Sequence, residues 1–134
     1  MTNDNRRLAI GRELEHGRRA LAAARMLEQG GLHNDALSRL YYALFHHVAA
    51  LLLTEGVDPS SHRALPGLLG QHFVLRGVLT AADVAVVSRT GSYRELADYE
   101  RTWDATADVV AGAVAEVEGL IRRIESVLVE GGWT

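Results

Sequence analysis

A chain of 134 residues has the length of one domain and can bury a core without metal or disulfide staples. It has no cysteine, which excludes disulfides, thiolate catalysis and cysteine-ligated zinc together. With 14 arginines, no lysine and 17 acidic residues the net charge is −3, so the overall basic footprint of many nucleic-acid binders is missing and any phosphate contact must be local.

The opening "MTNDNRR" is polar and leads into no unbroken apolar stretch, so it lacks a signal-peptide pattern. The longest wholly apolar run, Val48 to Leu53, is far short of the ~20 residues that span a bilayer. These features predict a cytoplasmic protein with no membrane partner. From about Arg6 to Gln29, Ile10, Leu14, Gly17, Leu21 and Ala24 recur at helical spacing, and Gly30-Gly31 ends that first helix. A second helix runs from about Asn34 to Glu55 and stops at Gly56. "VDPSS" then reads as a turn in which Ser60 or Ser61 caps a third segment, His62 to Leu75, kept short or bent by Pro66. Thr80 followed by Asp83 resembles a capping box for a fourth helix from Ala81 to about Ser88 or a little beyond, loosened at Gly91-Ser92. The last helix is predicted from about Trp103 to Val129, on Val110, Val114, Val117, Ile121, Ile124 and Leu128. Trp103 anchors its start.

No stretch alternates like a strand and the connections are short. The expected fold is therefore all-α, an antiparallel up-and-down bundle of four to five helices. It forms one domain over residues 1–134, with 1–5 and 130–134 as frayed tails containing Trp133.

The second helix carries the chemistry. With successive residues about 100° apart, Leu37, Leu40, Leu44, Val48 and Leu51 fall on one dense apolar stripe, and Arg39, His46, Tyr42 and Asp35 gather on the opposite side with Ala43 and Ala50 between them. Arg39 and His46 are roughly 10.5 Å apart along the axis and can line one groove. The alanines allow a second helix or a ligand to come close. Burying an unpaired guanidinium costs several kcal/mol or more, so Arg39 needs either a carboxylate, such as Asp35 or one from another helix, or an anionic ligand.

"SRLYYALFHHVAALL", then Gly56, "SHRAL" and "RELADY" from Arg94 to Tyr99, resembles the prokaryotic HEPN family, especially its small stand-alone proteins with an R-x-Y-Y-A-x-F-H helix. The similarity runs from the first helix through the last. The resemblance implies an all-α homodimer that places Arg39 and His46 in a cleft shared by two subunits. Many members resemble metal-independent ribonucleases, often toxins neutralised by a partner such as a minimal nucleotidyltransferase, while others bind RNA, nucleotides or proteins without catalysis. In that chemistry a histidine, unperturbed pKa near ~6.5, moves the ribose hydroxyl proton, and an arginine holds the scissile phosphate. No cofactor or metal is required. Two departures bear on activity: Leu40 stands where active members carry a polar residue, and no tyrosine shortly follows His46 to accept AMP. An endoribonuclease, and a non-catalytic RNA- or nucleotide-binding module or partner subunit of a nucleotidyltransferase, therefore both remain open.

Tyr41 lies beside the core stripe and is expected to pack; Tyr42, on the Arg39 side, can pack or bind. His47, at the stripe's edge, is expected at an interface or partly exposed, and His62 is either a cap neighbour or a second groove residue. Asp98 is expected to hold an arginine, Arg39 itself among the candidates, so that Arg94, Asp98 and Tyr99 support the site. Glu13 and His16 form one E-x-x-H, but a di-iron site needs two plus further glutamates, and no other histidine has a glutamate three residues before it. A mononuclear site of His16, His46 and His62 is the remaining metal alternative.

Overall fold

The computed structural model describes residues 2–59 and 61–134. It contains five α-helices and, among the described residues, no strand: α1 Asn3–Gln29, α2 His33–Leu53, α3 Leu65–Leu69, α4 Ala81–Tyr99 and α5 Ala107–Glu130. The all-α bundle is as expected. Its contacts fix the direction of each helix. Arg6 reaches the Thr54 carbonyl, Glu13 meets His46 and Gly17 abuts Ala43, so α1 and α2 run antiparallel. Arg18 and Arg25 pair with Glu125 and Glu118, and Asp83 and Arg89 pair with Arg123 and Glu116, so α5 opposes both α1 and α4.

α2 is the central element. Leu37, Leu40, Leu44, Val48 and Leu51 have no exposed surface, and they pack with Val110, Val117, Leu120, Ile124 and Leu128 of α5 in one core. Each such side chain contributes roughly 1.5–3 kcal/mol by leaving water. Among the described residues α2 alone is long and apolar enough to cross a membrane, but 67% of its most apolar stretch is buried inside the bundle, which makes it a core helix. Ala43 and Ala50 are also fully buried, and α1 is the helix that comes close over Ala43.

Several boundaries move for identifiable reasons. α1 begins at Asn3, earlier than its periodicity indicates, because the Thr2 hydroxyl caps it by accepting from the Asn5 amide at 3.1 Å. Ser60 lies outside the described residues, and Ser61 accepts from the Ala64 amide at 3.3 Å. The segment around Pro66 is broken as expected: a 3₁₀ turn at His62–Ala64, the single-turn α3 with Pro66 in its first turn, and a π turn at Gly70–Val74.

The Thr80–Asp83 capping box forms with both reciprocal bonds. The helix it opens does not loosen at Gly91-Ser92 but continues to Tyr99. Buried Val86, Val87 and Thr90 hold it on the core, and the hydroxyls of Thr90 and Ser92 bond back to the carbonyls of Val86 and Ser88. α5 starts at Ala107 rather than Trp103. Asn34 donates to the Trp103 carbonyl at 3.1 Å and accepts from the Ala105 amide at 2.9 Å, which keeps the approach non-helical, and Thr106 then caps. Trp103 is part of this connection and stacks on Tyr93. Trp133, expected in a loose tail, packs on the core beneath the Arg7 guanidinium, and its amide bonds to the Leu128 carbonyl.

Candidate functional site

Arg39, Tyr42 and His46 line one open cleft of about 350 Å³ between α2 and α1, together with His16, Arg19, Ala20 and Ala23. The cleft exists because α1 carries small residues where the two helices are closest. Gly17, Ala20 and Ala24 are buried, and the cleft residues project beside them. Arg39 is exposed, and among the described residues no carboxylate lies within ion-pair distance of its guanidinium. Neither Asp35 nor Asp98, the two carboxylates the sequence offered for it, holds it, which leaves the anionic ligand of the two alternatives. Its guanidinium instead lies over the Tyr42 ring, 4.9 Å from the centroid, a cation–π contact that fixes its direction and leaves its N–H groups free for an anion.

His46 is half-buried. Its Nδ1 lies 2.7 Å from the Glu13 carboxylate, and no protein group bonds its Nε2 among the described residues. The bond to Glu13 keeps the proton on Nδ1 of the neutral ring, so Nε2 is the bare, accepting nitrogen. The exposed His16 ring lies beside it, with centroids 5.4 Å apart and planes 31° apart. Glu13, His16 and Arg19 are the contributions of α1 that the sequence reading did not assign to this site. The Glu13-x-x-His16 spacing flagged the first two, but as a metal motif.

The other candidates lie elsewhere. His47 is not at an interface or partly exposed; it is fully buried against α1, with Nδ1 donating to the Ala43 carbonyl at 2.8 Å and Nε2 lacking any partner. Burial holds its pKa below the usual histidine value, outweighing the Ala43 hydrogen bond. It therefore does not face the cleft. His62 sits on the other side of Tyr42, its Nδ1 2.8 Å from the Tyr41 hydroxyl and its ring packed on Phe45. Burial, then the Arg94 charge, lowers its pKa. Burial raises that of Tyr41 to about 12 against the opposing pull of Arg94, so the phenol stays protonated in its hydrogen bond with His62.

Tyr41 packs as expected, with Arg94 beneath it at 5.0 Å and Tyr42 and Tyr99 around the same guanidinium. Asp98 pairs with Arg94 at 3.7 Å and accepts from Ser38. "RELADY" thus supports the Tyr41–Tyr42 pair and touches Arg39 only through the Tyr42 ring. Asp35 is exposed at the start of α2. The three-histidine metal alternative does not assemble, because His62 is engaged by Tyr41 outside the cleft, and among the described residues no group of three potential ligands converges.

A sequence model of the HEPN domain matches residues 12–127. A Methanocaldococcus jannaschii protein named "Putative toxin MJ0605" is 31% identical over 130 residues, covering 97% of this chain and 96% of its own length. A second protein of that organism, also named as a toxin in the same terms, is 29% identical over 66% of this chain and 60% of its own. A UPF0332 protein of Thermotoga maritima is 28% identical over 83% of this chain and 84% of its own length.

Proposed function

Since the chain belongs to the HEPN domain family, we propose that it acts on RNA as a metal-independent endoribonuclease of the toxin kind, using Arg39 and His46. The observation that carries this reading is a guanidinium without a carboxylate partner and an imidazole with a bare Nε2 lining the same cleft. His46 takes the proton of a ribose 2′-hydroxyl as that oxygen attacks the adjacent phosphorus. Arg39 donates two hydrogen bonds to the non-bridging oxygens and favours the charge that grows there. Tyr42 holds the guanidinium in place and offers its edge to a base.

Two copies meeting across a two-fold axis would bring two such clefts together and double the local positive charge, which supports a homodimer as the working form. The relatives named as toxins support a neutralising partner, and a minimal nucleotidyltransferase is the class we propose. One observation favours a second reading, a non-catalytic RNA- or nucleotide-binding module. Leu40, the residue after Arg39, is fully buried in the core and supplies no polar group beside the guanidinium.

Incubating the protein with single-stranded RNA in EDTA separates the two. The nuclease reading expects cleavage that falls about 100-fold or more in His46→Ala, with RNA binding retained, and falls at least as far in Arg39→Ala. Binding without cleavage supports the second reading. Neither binding nor cleavage overturns both.

A further inference from the structure

We propose that α1 supplies the rest of the reaction machinery within a single chain, with Glu13 positioning His46 and His16 acting as the general acid that protonates the leaving oxygen. This rests on the nuclease reading and deepens it. An exposed carboxylate–imidazole pair would by itself be an ordinary surface contact worth little. Here it is only half-exposed, it occupies Nδ1 and so aims Nε2 outward, and that nitrogen opens onto a cleft with a free guanidinium. The carboxylate also steadies the charge His46 takes up on accepting a proton, the role a third group plays behind a catalytic histidine.

A transphosphorylation needs a second proton carrier. The 2′-oxygen bonds to phosphorus as its proton passes to His46, and the bond from phosphorus to the 5′-oxygen breaks, so that oxygen must gain a proton as it leaves. The products are a 2′,3′-cyclic phosphate and a 5′-hydroxyl, and a proton passing from His46 to solvent and from solvent to His16 restores both rings. His16 meets the geometric requirement. Its ring is exposed in the same cleft, forms no hydrogen bond with the protein among the described residues, and has its centroid 5.4 Å from that of His46, close enough for both rings to reach oxygens on one phosphorus. The groups facing the pair are Glu13, Arg19 and Arg39, with Glu15 held by Arg19 at 2.6 Å.

Two measurements test the assignment. Nitrogen-15 NMR of the His46 ring reads its tautomer without reference to activity: wild type is expected to carry the neutral proton on Nδ1. Glu13→Ala should lose that preference, Glu13→Gln should keep it, and kcat should fall about 10-fold or more in Glu13→Ala with KM little changed. An unchanged tautomer in Glu13→Ala overturns the positioning role.

For His16, cleavage is compared on RNA and on the same strand with sulfur replacing the bridging 5′-oxygen, a leaving group that needs no proton. His16→Ala should lose about 100-fold on the oxygen substrate and recover close to wild-type rate on the sulfur one, whereas His46→Ala should lose on both. Equal losses for His16→Ala on the two substrates overturn the acid role. An inactive wild type would overturn the reaction and with it that role, leaving the Glu13–His46 arrangement to be decided by the NMR result alone.

Discussion

Gly17 and His47 show how closely one residue of α1 controls the centre of the bundle. A Cβ on Gly17 would fall 2.6 Å from the His47 Nδ1 and 3.2 Å from the Ala43 carbonyl, both immobile because the ring is buried and bonded to that carbonyl. Gly17→Ala gains helix propensity, up to about 1 kcal/mol, but the overpacking costs about 1–3 kcal/mol. A net fall in thermal midpoint is expected, and an unchanged or raised midpoint would contradict the contact. His47 also predicts an acid sensitivity. Its folded-state pKa is held below the unfolded value of about 6.5, so between the two values the unfolded chain binds more protons. Stability is then full above about pH 6.5 and declines as pH falls toward the folded-state value. Urea unfolding at pH 7.5 and 5.5 should show lower stability at the acid pH. His47→Leu should remove part of that difference, and the remainder should come from His62, which is shifted in the same direction. An identical pH dependence in His47→Leu would refute the assignment.

At the scale of elements, α4 runs through a glycine that the sequence alone treats as a weak point. A methyl group at Gly91 would make ordinary contact with Tyr41, at 3.5 Å and beyond, and the backbone there is already helical. Gly91→Ala should therefore stabilise the protein by about 0.5–1 kcal/mol, seen as a raised thermal midpoint, and a loss of stability would mean that α4 needs freedom at that point.

The same helix marks where sequence reasoning stops. The stripes of α2 and α5 were legible because each spacing is local, and so was the Thr80–Asp83 box. The continuation of α4 past Gly91 depends on Val86, Val87 and Thr90 finding a core, and the late start of α5 depends on Asn34, some 70 positions away. Arg39, Tyr42 and His46 could be grouped from one helix alone. Their neighbours could not, because which residues of α1 face them is set by the antiparallel register of the two helices. His47 was misplaced for the same reason: its position on the wheel is at an edge, but Gly17 opposite lets the ring sink in.

Across the whole molecule, charge is arranged so that most arginines meet a carboxylate, while among the described residues Arg39 and the exposed Arg12, Arg63, Arg101 and Arg122 do not. Arg18, Arg25, Arg76, Arg89 and Arg123 each meet a carboxylate on another segment, linking helices by exposed or partly exposed pairs worth about 0–1 kcal/mol apiece. Arg19 shares Glu15, and Arg39 meets none among the described residues. Of the arginines without a carboxylate partner only Arg39 lines the cleft, so an RNA held there by a chain of net charge −3 should have few phosphates neutralised. For a single-stranded ligand the slope of log affinity against log salt is about −0.7 per phosphate. One cleft engaging through Arg39 and Arg19 therefore predicts a slope of roughly −1.4, and two clefts on one strand, as in the proposed dimer, roughly twice that. Arg39→Ala should reduce the slope by about 0.7 per cleft, because one neutralised phosphate is lost from each. The measurement is a salt titration of binding to fluorescent RNA, done on the His46→Ala variant so that no strand is cut. A slope well beyond about −3 would require cations outside this cleft, and a slope insensitive to Arg39→Ala would remove the guanidinium from the ligand's path.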